Sequence, residues 1–205
     1  MKKLILLTSA IVAFTAQSFA QEKPRQDIYS PVFALKTNAL YLATTTFNLG
    51  VEFALGNRTT LDISGNYNPW KFKNNRDIRH WMVQPELRFW TKDRFNGHFF
   101  GLHGIYADYK VGGWPIDGDE NFLWFDVPNL RNNRYEGKAY GGGISYGYQW
   151  ILSNRFNLEA TIGAGYMRLD YDTYARGTDN KTSSDQKRDY FGPTKVGLTF
   201  VYIIK

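Results

Sequence analysis

The segment from residue 139 to residue 171 alternates large apolar residues with small or polar ones, with a turn near Ser153 to Arg155. Successive side chains of a strand leave opposite faces, so this period of two predicts two strands. The other face is mostly Gly, Ser, Thr, Asn, Gln and Glu. The apolar face carries Tyr140, Ile144, Tyr146, Tyr148, Trp150, Phe156, Leu158, Ala160, Ile162, Ala164 and Tyr166.

The same period recurs in most of the chain and predicts six further strands. Pro85 interrupts one of them, and proline removes a ladder hydrogen bond. No segment has a convincing helical period, apart from something short within a loop. The six strands are predicted at 32–41, 47–55, 60–67, 79–90, 98–111 and 191–204.

The connections between the predicted strands alternate in length. Short links are expected at 42–46, 56–59, 91–97 and 153–155, and long ones at 68–78, 112–137 and 172–190. Short turns on one side and mostly long loops on the other are typical of an outer-membrane barrel with periplasmic termini. A secreted β-sandwich also alternates, and it is the alternative.

Three observations favour the barrel over the sandwich. Segments of about ten residues match tilted membrane strands. Gly141, Gly143, Gly147, Gly163 and Gly165 leave room on the inward face of a narrow ring. The expected fold is therefore all-β: a closed antiparallel up-and-down transmembrane β-barrel of about eight strands over residues 32–205. Aromatic residues stand near the ends of the strands, where a girdle would lie: Trp90, Tyr109, Tyr140, Trp150, Tyr166 and Tyr202.

The N-terminus has the pattern of a secretory signal peptide. Lys2 and Lys3 precede an apolar run, and Ser18 to Ala20 forms a small-x-small cleavage site. We expect residues 1–20 to be removed and residues 21–31 to form a periplasmic lead-in. The net charge of +6 would fall by the two lysines to 6 − 2 = +4, which gives little reason to expect nucleic acid. With 0 Cys, the chain has neither disulfides nor a lipoprotein anchor.

Five stretches of the chain resemble a family of small outer-membrane β-barrel proteins, mostly from Bacteroidota, that is known as a domain of unknown function. They are "KTNALYLATTTFNLGVEFAL", "TLDISGNYNPWKF", "VQPELRFW", "GHFFGLHGIYADYKVGG" and "EGKAYGGGISYGYQW". Together they cover most of the chain after the leader. The resemblance implies a barrel and an outer-membrane location, and it implies no activity.

The polar face of the predicted strands carries most of the candidate chemistry. Four carboxylates and three cations would lie in the lumen, where charges need partners. We predict that they form a structural plug, and a narrow ion path is the alternative. The predicted lumen network is Lys36, Glu52, Asp62, Glu86, Arg88, Glu159 and Lys195.

Evidence for catalysis is thin. The chain has 3 His, and no His with a nearby Ser and carboxylate at one level of the predicted sheet is evident, so His80 with Asp77 is the best candidate. A nucleophile and its base must lie within hydrogen-bond reach, and no such set is evident. We predict no enzyme activity, no metal and no cofactor, and keep a lipid A or phospholipid-modifying enzyme as an alternative.

The connection 112–137 is the longest, and loops of this length are usually functional or disordered. Its aromatic residues mark a candidate surface contact, or they fold over the barrel mouth. Its arginines are candidates for lipopolysaccharide phosphates. The residues concerned are Trp114, Phe122, Trp124, Phe125, Arg131 and Arg134.

These features predict a non-enzymatic barrel in the bacterial outer membrane. Its role would be structural, adhesive or partner-binding, exerted through surface loops. The expected partners are outer-membrane lipid, lipopolysaccharide and a surface or envelope protein.

Overall fold

A computed structural model gives the fold and describes residues 31–116, 121–122, 125–126 and 129–204. The described part is mainly β-strand, with one short helix. In chain order the elements are β1 (Phe33–Asn38), α1 (Ala39–Ala43), β2 (Phe47–Ala54), β3 (Thr59–Asn68), β4 (Lys71–Phe72), β5 (Arg76–Trp90), β6 (Gly97–Gly112), β7 (Asn121–Phe122), β8 (Phe125–Asp126), β9 (Asn133–Ile151), β10 (Phe156–Ala175) and β11 (Lys181–Ile204).

Eight long strands pair in chain order and return to the start. Each pairs antiparallel with its neighbour along the order β1, β2, β3, β5, β6, β9, β10 and β11, and β11 pairs with β1. The prediction of an all-β, antiparallel, up-and-down sheet is confirmed, and its hydrogen bonds form a ring. The tight turns 55–58, 91–96 and 152–155 lie at one end, called here the short-turn end, and the other connections lie at the long-loop end.

The first strand is shorter than predicted because a helix begins within it. Asn38 caps α1, since its side chain accepts a hydrogen bond from the backbone N–H of Leu40 at 3.0 Å. The prediction that the strand continues to Tyr41 is therefore wrong. Within the described ranges no helix has the length and apolar character needed to cross a membrane.

The last predicted loop, 172–190, is mostly strand, so that prediction is wrong. β10 and β11 pair from Phe156 to Tyr174 and leave only residues 176–180 as a turn. Lys181 Nζ donates to Asp172 Oδ2 at 2.7 Å, and the N–H of Asp185 donates to Asp172 Oδ1 at 3.0 Å. These two bonds hold the pKa of Asp172 below its usual range. The hairpin thus projects from the long-loop end as an ordered element.

The turn between β5 and β6 inserts a side chain into the short-turn end. Phe95 is fully buried against Ala34, Val201 and Ile203, although its φ of 61° is unusual for a bulky residue. Arg94 fixes this turn by donating to the carbonyl of Pro31 at 2.7 Å. The side chain of Phe95, called here the Phe95 stopper, therefore closes the ring at this end with an apolar group.

Candidate functional site

The outer face of the ring is apolar and exposed. Ile144, Ile162 and Phe100 are 66%, 61% and 56% exposed. Soluble proteins rarely leave large contiguous apolar surfaces uncovered. The outer wall is thus a candidate contact surface.

The inner face carries the charged residues that the sequence placed there, and the structure brings all seven together. Glu52, Asp62 and Glu86 face one another in register across β2, β3 and β5. Like charges directly opposite destabilise a sheet, so this row of carboxylates requires cations. Those cations are Lys36 on β1, Arg88 on β5 beside Glu86, and Lys195 on β11.

Arg88 is the centre of the inner network. Its guanidinium donates to Glu52 at 2.9 Å, to Glu86 at 2.8 Å and to both oxygens of Glu159 at 2.9 and 3.1 Å. It also forms an ion pair with Asp62 at 2.5 Å. The side chain is 1% exposed, and it lies 4.4 Å from the ring of Phe99.

The two lysines complete the network. Lys36 Nζ donates to Glu52 and Glu159 at 2.8 Å each and to Asp62 at 3.0 Å. Lys195 Nζ donates to Glu86 at 2.7 Å, which also accepts a hydrogen bond from Ser145. The network therefore contains four carboxylates and three cations, and it connects β1, β2, β3, β5, β10 and β11.

A small cavity of about 30 Å³ lies beside the network and is lined by residues such as Tyr41, Gly50 and Gln84. That volume holds about two water molecules.

Two predicted girdle residues lie inside the ring instead. Trp90 is 3% exposed and donates through Nε1 to Thr60 at 2.9 Å. Tyr109 belongs to the inner face, and burial raises its pKa, so the hydroxyl stays protonated. Predicting them on the outer wall was wrong. Side chains alternate between the two faces along β5 and β6, and this alternation places both Trp90 and Tyr109 on the inner face. Tyr140, Trp150 and Tyr166 do lie on the outer face.

At the long-loop end, β6, β9, β10 and β11 project beyond the apolar part of the outer face, and this part is called here the projecting wall. In the projecting wall the outer face is the charged one and the inner face is the apolar one. Its outer face carries one row of alternating charge, Asp108, Lys138, Asp170 and Lys187 in register. Its inner face carries the adjoining row Ala107, Ala139, Leu169 and Arg188. A sheet with a polar outer face and a largely apolar inner face is what water on the outside requires.

An apolar cleft of about 300 Å³ lies on the inner face of the projecting wall. Sequence reasoning missed this cleft, because it predicted a loop where β11 runs. The sequence did contain a signal for it. Apolar residues stand at every second position in Tyr109 and Val111 and again in Leu169 and Tyr171, which places each pair on one face of its strand. The lining residues are Tyr109, Val111, Leu130, Tyr135, Leu169, Tyr171 and Arg188.

His80 and Asp77, the candidate pair, have other partners in the structure. His80 Nδ1 lies 2.9 Å from the carbonyl of Ile78, while Asp77 is bound by Arg79 at 2.5 and 2.8 Å. His103 Nε2 lies 2.8 Å from Thr194 Oγ1 inside the ring. The proposed pair of His80 and Asp77 is therefore not formed.

The candidate contact loop is only partly described. Trp114 donates to the carbonyl of Asp77 at 3.1 Å and lies edge-on to Phe72, so it packs against the sheet. Phe122 and Phe125 pair in the short hairpin of β7 and β8, and Trp124 lies outside the described residues.

The two candidate arginines of this loop lie at its end. Arg134 forms ion pairs with Glu136 at 2.6 Å and Asp179 at 3.0 Å. The backbone N–H of Arg131 donates to the carbonyl of Ile116 at 3.0 Å and closes the base of the loop. Arg134 is thus engaged within the protein.

No cluster of three or more His, Asp or Glu residues in the described ranges is placed to hold a metal ion.

The chain belongs to the family described as "Protein of unknown function (DUF3575)", which matches residues 4–204. Neither the curated proteins nor the solved structures contain a match to it.

Proposed function

We propose that this member of a family of unknown function is a β-barrel of the bacterial outer membrane, exported with a cleaved signal peptide. The exposed apolar wall around a charged interior carries the proposal, because this arrangement is the inverse of a soluble protein. The N-terminal pattern of a positive start, an apolar run and a small-x-small site supports export.

The height of the apolar wall supports the same proposal. On β9, Tyr140 and Trp150 bound the apolar face and lie 150 − 140 = 10 residues apart, and Phe156 and Tyr166 bound β10 in the same way. Ten residues span about 33 Å along a strand, and a tilt of about 40° reduces this to about 25 Å. That is the apolar height of an outer-membrane barrel. Above Tyr140 and Tyr166 the outer face becomes charged, as it must in water.

We expect the purified chain to show heat-modifiable mobility. Closed barrels keep their strand pairing in dodecyl sulfate until heated, since the ring has no edge from which to unravel. The unheated protein should run ahead of the boiled protein on a gel after extraction from the outer membrane. Recovery in the soluble fraction without detergent, with a single mobility, would contradict the proposal.

The filled interior supports a barrel without a pore. We expect no conductance steps in planar bilayers at neutral pH, because Arg88 and Lys36 bridge carboxylates from opposite sides and Phe95 closes the short-turn end. Discrete, reproducible steps from pure protein would instead favour the narrow channel. A Phe95→Ala variant tested in parallel shows whether the stopper alone prevents leakage.

The role we propose is structural, adhesive or partner-binding, exerted through the surface at the long-loop end. The projecting wall extends well beyond the apolar band of the outer face. A barrel whose only role was to span the membrane would not need this extension. Outer-membrane lipid and lipopolysaccharide surround the apolar wall, and an envelope or surface protein is the expected partner. An enzyme acting on lipid A or phospholipid is the second candidate, although His80 and Asp77 are engaged elsewhere.

Photocrosslinking in living cells tests the partner-binding role. A photoreactive residue in place of Trp124, in the longest connection, should give one discrete crosslinked band whose mass identifies a partner. The same residue in place of Asn154, in a turn at the opposite end, is the control and should not give that band. A surface-exposed protein without any crosslink from position 124 would count against this role and favour the enzyme, for which lipid A from a deletion strain is compared next.

A further inference from the structure

The strand pairing of the ring has one open side, on β11 toward the long-loop end. β1 closes the ring by pairing with β11 from Thr199 to Ile204, whereas β10 pairs with β11 from Lys181 onwards. Among the described residues, no strand pairs with the other side of β11 from 181 to 198. An unpaired strand edge presents a row of main-chain N–H and C=O groups that another strand can join.

The part of this edge next to β1 is covered by the chain itself. Asn38, at the start of α1, donates through its side chain to the carbonyl of Val196 at 3.1 Å. Its side-chain oxygen accepts from the N–H of Leu198 at 3.2 Å. One asparagine therefore takes the place of a partner strand just beyond the end of β1.

Two further features bound the part of the edge that stays open. Pro193 has no N–H to offer to another strand. Asp185 has a φ of 55° and stands at a register shift against β10, so a β-bulge ends the regular ladder there. Prolines and bulges are devices by which proteins keep strand edges from pairing at random. Between them lies a regular run, residues 186–192, called here the free edge.

The main chain of the free edge points outward at every second residue. The carbonyl oxygen of Asp170 on β10 lies beside Gly137 of β9, so Asp170 bonds away from β11. Residues directly opposite in an antiparallel pair either bond to each other or both point away, so Lys187, opposite Asp170, turns its N–H and C=O outward. Asp189 and Phe191 share this direction by alternation. Such a row of donors and acceptors is matched by another extended backbone.

The side chains of the outer face indicate which strand fits. The row of alternating charge across the projecting wall ends at Lys187, so an acid is its complement on a further strand. In the next row Asp189 lies opposite Arg168, so a base is the complement beyond Asp189. Phe191 lies opposite Tyr166, and its complement is an apolar residue. The charges thus select among strands that the backbone alone would accept.

We propose that the free edge binds an extended segment of a partner polypeptide, which adds to the sheet as a further antiparallel strand. Its outward side chains are, in chain order, apolar, basic and acidic, opposite Phe191, Asp189 and Lys187. This rests on the partner-binding role proposed above and adds to it the surface and the chemistry of the partner. A second copy of the chain fits poorly, because two barrels inserted in the same direction about a two-fold axis would set like charges opposite each other.

Fluorescence anisotropy with a labelled peptide tests the proposal. The probe is Thr-Phe-Thr-Lys-Thr-Glu-Thr, whose phenylalanine, lysine and glutamate fall opposite Phe191, Asp189 and Lys187. It should bind saturably to the protein in lipid nanodiscs and not to empty nanodiscs. N-methylation of the phenylalanine, lysine and glutamate removes the N–H groups that face β11 and should abolish binding. N-methylation of the threonines between them should leave binding in place.

Lys187→Glu should weaken binding of this peptide about fivefold, because a pair of opposite charges becomes a pair of like charges. A peptide with lysine in place of its glutamate should restore binding to this variant. Lys138→Glu is the matched control, since it reverses the same charge in the same row on β9, which has a strand on both sides. It should bind the original peptide as the parent does.

No saturable binding, equal binding of the two N-methylated peptides, or equal effects of Lys187→Glu and Lys138→Glu would overturn the proposal. Heat-modifiable mobility is recorded for each variant, so a failure of the barrel is seen separately. A crosslink from position 124 without peptide binding would keep the partner-binding role and remove the free edge from it. If the parent proves soluble, the membrane proposal fails, and the same titration in buffer still decides on the free edge.

Discussion

Replacing Arg88 with leucine should lower the free energy of unfolding by about 3–5 kcal/mol, which is the usual cost of removing one partner from a buried ion cluster. Arg88 contacts all four carboxylates of the interior. Without it, Lys36 and Lys195 alone face them, and the formal charge of the network changes from −1 to −2. The measurement is urea unfolding of the protein in phospholipid vesicles.

Arg168→Leu is the control for this prediction. Arg168 also pairs with an acid, Asp189, at 2.9 Å, but the two side chains are 35% and 59% exposed. Exposed ion pairs contribute about 0–1 kcal/mol, so this variant should stay close to the parent. Equal stabilities of the two variants would contradict an interior network that depends on Arg88.

Replacing Ile144 with arginine should lower the stability in a bilayer by about 2–4 kcal/mol, as for arginine at the midplane of a barrel wall. Ile144 is 66% exposed and lies on the outer face of β9 between Tyr140 and Trp150. In a water-soluble protein an exposed substitution of this kind changes stability by about 0.5 kcal/mol or less. The position therefore separates the two interpretations of the apolar wall.

Ile144→Leu is the companion variant, because it keeps the apolar character and changes only the shape. It should unfold like the parent in the same vesicles. An arginine variant as stable as the leucine variant would mean that hydrocarbon does not surround β9.

Period-two alternation was sufficient to predict the strands that cross the apolar band. Residues 139–151 and 156–171 alternate because one face lines a charged interior and the other forms the exposed apolar outer wall. The same pattern predicted the seven charged residues of the inner network by parity alone. It did not predict which carboxylate meets which cation, since that depends on register across the ring.

The pattern was insufficient where the surroundings of a strand change. Above the band, the stretch from Lys181 to Tyr190 is polar on much of both faces, so it has the composition of a loop although β10 holds it in a ladder. Trp90 was predicted on the outer wall because aromatic residues mark girdles, yet it donates to Thr60 in the interior. The sequence did not predict that Phe95 is buried, because a single apolar residue in a polar turn forms no periodic pattern.

Cysteine accessibility in living cells is the most direct test of a membrane-spanning ring, and the chain has 0 Cys to interfere. Single variants place the thiol in the outer hairpin turn (Asn180→Cys), in a turn at the short-turn end (Asn154→Cys) and on the apolar wall (Ile144→Cys). A maleimide too large to cross the outer membrane should label position 180 in intact cells, position 154 only after lysis, and position 144 in neither case. Labelling of position 144 at the rate of position 180 would show that water reaches the apolar wall, and it would contradict the barrel.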